Sequence, residues 1–184
     1  MKSVWFTSDS HFGHKNILEY EKEHRNFSTI EEMNEFLIEK WNSVVKPKDT
    51  IYHLGDFCFG RKNIDIAARL NGNKQLILGN HDCYPSIDYL KYFEKLYGVT
   101  YWKQCVLSHM PVHHNGLGAR WMLNLHGHLH SKTVQIPAIG CDRYGNQVPY
   151  MKDDINYFNV SVERHNLTPV HSDLIMERIK ELNQ

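Results

Sequence analysis

Five times along this chain a short β-prone apolar run stops at a cluster of polar residues. Residues 4–7 run into Ser8-Asp9-Ser10-His11, residues 50–54 into Gly55-Asp56, and residues 75–78 into Gly79-Asn80-His81-Asp82. Residues 106–107 run into Ser108-His109, and residues 121–125 into His126-Gly127-His128-Leu129-His130. Short apolar runs bounded by turn residues read as buried strands. Strands alternating with helices build layered α/β folds, in which ligands bind beyond the carboxyl ends of the strands. The five clusters are therefore expected to meet along one rim.

The segments between them carry helix signals. Ser28, with Glu31 three residues on, has the form of a capping box. Met33, Phe36, Leu37, Trp41 and Val44 then recur at helical spacing until Pro47 ends the pattern. Residues 64–70 and 87–97 are expected to be helical, closed by Asn71-Gly72 and by Gly98. A last strand is expected over residues 158–162, followed by a helix capped by Ser172. Residues 131–157 mix Gly, Pro and charges and read as irregular.

Composition narrows the functional classes. A chain of 184 residues without linker or repeat reads as one domain over 1–184. Its 21 basic and 21 acidic residues balance, so no global field draws it to nucleic acid or an anionic membrane. No segment approaches a membrane span, and the N-terminus lacks the apolar core of a signal peptide, so a cytoplasmic location is expected. Cys58, Cys83, Cys105 and Cys141 are scattered, which suits reduced thiols better than a zinc knuckle or disulfide framework.

Histidine is the outlier: ten of the 13 lie at or near the strand ends. Imidazole, carboxylate and amide oxygen together suit Mn, Fe, Zn or Ni ions. On an extended segment i and i+2 point the same way, so Asp9 and His11 would chelate one ion, and His128 and His130 would share a site. Gly79 and Gly127 would permit tight turns where backbone approaches metal.

In this order the motifs D-x-H (Asp9, His11), G-D (Asp56), G-N-H-D (79–82), H (His109) and G-H-x-H (127–130) resemble those of the calcineurin-like metallophosphoesterases. The stretches TSDSHFGHKNI and WNSVVKPKDTIYHLGD are similar to its small, single-domain bacterial and phage members. The resemblance implies a four-layer α/β/β/α sandwich of two packed mixed sheets. It implies one divalent ion on Asp9, His11, Asp56 and His130, and a second on Asp56, Asn80, His109 and His128, with Asp56 bridging. It further implies hydrolysis of a phosphate mono- or diester by a hydroxide held between the ions. His81 would then be the acid for the leaving group, oriented and kept protonated by Asp82. His14, Arg25 and Arg61 are candidate contacts to substrate, with ordinary loop or surface roles as the alternative. The partner is expected to be a small phosphorylated compound, with nucleotides among the candidates.

Two departures narrow this. The G-D-x-x-D-R-G of phosphoprotein phosphatases is Gly55-Asp56-Phe57-Cys58-Phe59-Gly60 here, without its Asp-Arg pair. The chain also lacks length for the accessory domains of nucleotidases and nucleases. The competing reading is a non-catalytic metal-binding scaffold that docks a protein partner. Such scaffolds tend to lose the His of G-N-H or several ligands, and none of these is lost here.

Overall fold

Residues 2–118 and 120–183 are described by the structure, a computed structural model. The first sheet is built from β1 (Val4–Thr7), β2 (Thr50–His53), β3 (Asn73–Ile77) and β4 (Lys95–Tyr97), all parallel. The second uses β5 (Val99–Trp102), β6 (Cys105–Ser108), β7 (Leu123–His126) and β10 (Tyr157–Asn159), in the order β10-β7-β6-β5. Between β7 and β10 lies a separate hairpin of β8 (Gln135–Cys141) and β9 (Gln147–Asp153). The two-residue β11 (Val170–His171) joins β1 antiparallel. The α-helices are α1 (Ile17–Tyr20), α2 (Ile30–Val44), α3 (Ser86–Tyr89) and α4 (Ser172–Leu182).

Period-two alternation divides the core. Ile51 and Leu76 join α2 residues Met33, Leu37 and Trp41 in one apolar cluster. Their neighbours Leu54 and Ile77, with Phe6, meet Leu107, Leu123 and Leu125 of the second sheet in another, which Ile175 and Ile179 of α4 complete. The molecule therefore has two packed mixed sheets. On the second sheet, Val112 of the loop after β6 donates to Asn124 Oδ1 and accepts from Tyr157 Oη.

Register sets the rim. Thr7 pairs with His53, and His53 with Leu76, so the Asp9, Asp56 and Asn80 turns leave the first sheet at one level. In the second, Leu107 lies beside Leu125, bringing out Ser108-His109 and His126–130 together. A bridge from Ser8 to Ser161 ties the two sheets at this edge.

Several local expectations are corrected. The capping box is shifted by one residue: Thr29 Oγ1 caps α2 by accepting from Glu32 N, and Glu32 returns a bond to Ser28 N. His171, not Ser172, caps α4 through its ring. Residues 61–69 form a 3₁₀ helix. Residues 87–97 are not one helix. α3 makes a single turn, and alternation at Leu96 and Tyr97 places β4 against β3. Residues 131–157 are not irregular. The β8–β9 hairpin was hidden because neither face is covered, so its sequence has no need to alternate. The expected strand over 158–162 stops at Asn159, and Val162–His165 turn as a 3₁₀ helix.

Candidate metal centre

Two groups of donors form at the rim. Ligand atoms of Asp9, His11 and His130 all lie within 4.8 Å of one another, as do those of Asp56, His109 and His128. Asp56 joins the groups: its Oδ2 is 3.6 Å from His11 Nε2 and 3.3 Å from His109 Nε2. Asn80 Oδ1 lies 3.0 Å from His109 Nε2, so the amide belongs beside the second group. The structure thus brings together all seven residues singled out as ligands.

The means differs from the expected alternation. Asp9, His11, Asp56, His128 and His130 have φ of 56°, 48°, 54°, 68° and 51°, in the left-handed region that L residues seldom adopt. Each costs on the order of 1–3 kcal/mol and persists only where its surroundings hold it. His128 and His130 face different groups, as the family resemblance implies and i, i+2 spacing alone does not. Close approach explains the glycines. A Cβ on Gly79 would strike the Asp56 carboxylate, and one on Gly127 would strike Ser8 Oγ and Asp9 Oδ2.

Hydrogen bonds hold these turns. Asp9 N donates to Gly55 O at 2.9 Å, and His11 N to Asp56 O at 3.1 Å. Asp9 Oδ2 accepts from Ser8 Oγ and from Ser161 Oγ at 2.8 Å, and His128 N donates to both carboxylate oxygens, at 3.0 Å to Oδ2 and 3.1 Å to the Oδ1 that turns to His11 and His130. Asp56 Oδ1 accepts from His81 N at 2.9 Å, leaving Oδ2 for the shared position. His109 Nδ1 is fixed by Leu54 O at 2.8 Å, so its Nε2 faces Asp56.

The donor set fits divalent cations. Both ring nitrogens of His11 are covered and make no hydrogen bond, an arrangement costly for imidazole unless an ion takes one of them. Burial opposes ionisation of Asp56, yet the His109 hydrogen bond and charge hold its carboxyl well below the usual range. Burial likewise disfavours a proton on His109, but Asp56 and Asp9 raise it to about 9. A cluster that concentrates negative charge in this way would release protons when it takes up a metal.

Three candidate residues act otherwise than expected. Arg25 does not face substrate. Its guanidinium is fully buried, donating to Glu163 Oε1 through Nε at 2.8 Å and Nη2 at 2.5 Å, to Ser10 O at 2.9 Å and to Asp9 O. Arg61 is exposed and paired with Asp88 at 2.7 Å. Asp82 does not orient the His81 ring. It accepts from the backbone N–H groups of Asp56, Phe57 and Gly79 at 2.7, 3.1 and 2.9 Å, locking two ligand turns together. Burial pushes its carboxyl up to about 6 against the pull of those N–H groups. His81 stands at the rim with Nε2 4.0 Å from Asp56 Oδ2, and His14 stacks on Phe59 nearby.

Glu163 was missed. It is buried, and its Oε1 also accepts from His130 Nδ1 at 2.9 Å, the carboxylate–histidine arrangement that aims the other ring nitrogen at a metal. Its signal was present: Ser161 and Glu163 follow an apolar run as a sixth strand-end cluster.

Comparisons with known proteins bear on the family and the fold. The family model for calcineurin-like phosphoesterases matches residues 2–179. An uncharacterized protein of Methanocaldococcus jannaschii is 35% identical, with 98% of this chain and 93% of that protein covered. The Gene 66 protein of Mycobacterium phage L5 is 42% identical over 45% of this chain and 41% of its own. A protein of unknown function from Aquifex aeolicus shares the fold, with a TM-score of 0.69 at 24% identity over 96% of this chain and 99% of that one.

Proposed function

This chain belongs to the calcineurin-like phosphoesterase family, and from that premise we propose that it hydrolyses a small phosphate mono- or diester at a pair of divalent ions. One observation carries the reading: Asp56 Oδ2 stands between His11 Nε2 and His109 Nε2, at 3.6 and 3.3 Å, where one carboxylate serves two donor groups. Asp9, His11, Asp56 and His130 would hold one ion, and Asp56, Asn80, His109 and His128 the other; manganese, iron, zinc and nickel all suit such donors. When bound, two such ions activate a water as nucleophile and neutralise charge on the phosphoryl oxygens.

The chain's own residues do the rest. Asp9, anchored on Oδ2 by Ser8 and Ser161, and Asp56, anchored on Oδ1 by His81 N, present their remaining oxygens in a fixed orientation. Preorganisation of this kind removes reorganisation cost from the reaction. His81, with a partly exposed side chain beside Asp56, gives the Nε2 proton to the oxygen that leaves phosphorus.

Purified protein treated with chelator and reloaded with manganese, iron, zinc or nickel is the test. It should hydrolyse bis(4-nitrophenyl) phosphate or 4-nitrophenyl phosphate, and the chelated protein should not. If neither ester is cleaved under any of the four metals, the proposal is wrong.

A further inference from the structure

On the His81 side of the centre the rim is aromatic. Phe59 is 47% exposed and Tyr20 is 70% exposed, although both are large side chains that gain by burial. Phe59 stacks on His14 with centroids 4.6 Å apart and planes 20° from parallel. Tyr20 meets the same imidazole edge-on at 6.2 Å. His14 in turn lies 5.3 Å from the His11 ring, and Phe59 lies 6.1 Å from His81. An open, two-sided aromatic surface therefore begins one ring away from the donor groups, beside the residue assigned to the leaving oxygen.

Single exposed aromatics are common and mean little. Here the arrangement matters. The Phe59 backbone is pinned, its N–H on Phe12 O at 2.9 Å and its carbonyl on the Asn63 side chain, so the ring is presented from a fixed turn. Charge gives the second argument. The arginines nearest in sequence to these turns are engaged, Arg25 by Glu163 and Arg61 by Asp88, so neither is free to clamp a further phosphate. The surroundings thus suit a ligand that sets a flat, uncharged ring beside its phosphoryl group.

Resting on the phosphoesterase reading above, we propose that Phe59, His14 and Tyr20 form a stacking seat for a nucleobase carried by the leaving alcohol, making nucleoside phosphate esters the preferred substrates. Base–aromatic stacking tolerates any base, because every base has a π-face.

The test is equilibrium binding to the manganese-loaded protein. The probes are CH2-bridged phosphonate analogues of adenosine 5′-phosphate and ribose 5-phosphate, which differ only in the base and cannot be hydrolysed. The base should tighten binding about tenfold or more, and Phe59→Ala and Tyr20→Ala should each bring the two affinities closer together. Equal affinities in the wild type, or an advantage that survives in both variants, would overturn the seat. Hydrolysis of bis(4-nitrophenyl) phosphate by the same preparation reports on the phosphoesterase reading separately, so either idea can fail while the other stands.

Discussion

Glu163 Oε1 takes the Nδ1 hydrogen of His130 at 2.9 Å while Arg25 Nε donates to the same oxygen at 2.8 Å. Arg25 also binds the carbonyls of Asp9 and Ser10, so one buried ion pair steadies all three donors of the first group. Glu163→Gln should weaken metal binding there by about 10–100-fold, read by calorimetric titration with manganese. The variant strands a buried guanidinium, which costs about 3–5 kcal/mol. Arg25→Met combined with Glu163→Gln should therefore regain stability in a thermal melt without regaining affinity. Wild-type metal affinity in either variant would mean that the pair only supports the fold.

Asp82 holds three backbone N–H groups from two ligand turns, not the His81 imidazole. Asp82→Asn presents a single acceptor oxygen, and hydrogen bonds to a charged group are worth about 1.5–3 kcal/mol each. Denaturant unfolding should show a loss of that order. The pH dependence of turnover should keep its shape in Asp82→Asn and change in His81→Ala. A reshaped profile in Asp82→Asn would restore its expected role as the partner of the acid.

His53 gives a pH signature for stability. It is fully buried beneath the rim, with Nε2 2.9 Å from Ser10 Oγ. Burial lowers its pKa from 6.5 to about 3. Between those values the unfolded chain takes up a proton that the folded chain refuses. The stability is complete above pH 6.5 and is lost as pH falls toward 3, by about 1.4 kcal/mol per pH unit. In chelated protein, the gap between wild type and His53→Gln should shrink over this window when unfolding is followed by circular dichroism. A constant gap would show that His53 takes up protons equally in both states.

The donor set was legible because chemistry restricts it to few residue types and the strand pattern places those types at turns. Asp9, Asp56 and His128 stood out before any geometry was known. What no side-chain pattern announces is backbone conformation: five of the donors sit in left-handed turns, and spacing alone would put His128 and His130 at one site, whereas they join different groups as the motif resemblance implies. Arg25 read as a substrate contact or a surface charge because its counter-ion, Glu163, lies 138 residues away. The β8–β9 hairpin escaped because uncovered strands carry no hydrophobic alternation.

The shared carboxylate of Asp56 is the centre of this account, and metal stoichiometry tests it most directly. Equilibrium dialysis with manganese followed by elemental analysis should find two ions per chain in the wild type. Asp56→Asn should lose both, together with hydrolysis of bis(4-nitrophenyl) phosphate, because its Oδ2 serves both groups. A wild type that binds a single ion, or an Asp56→Asn protein that keeps two, would contradict it.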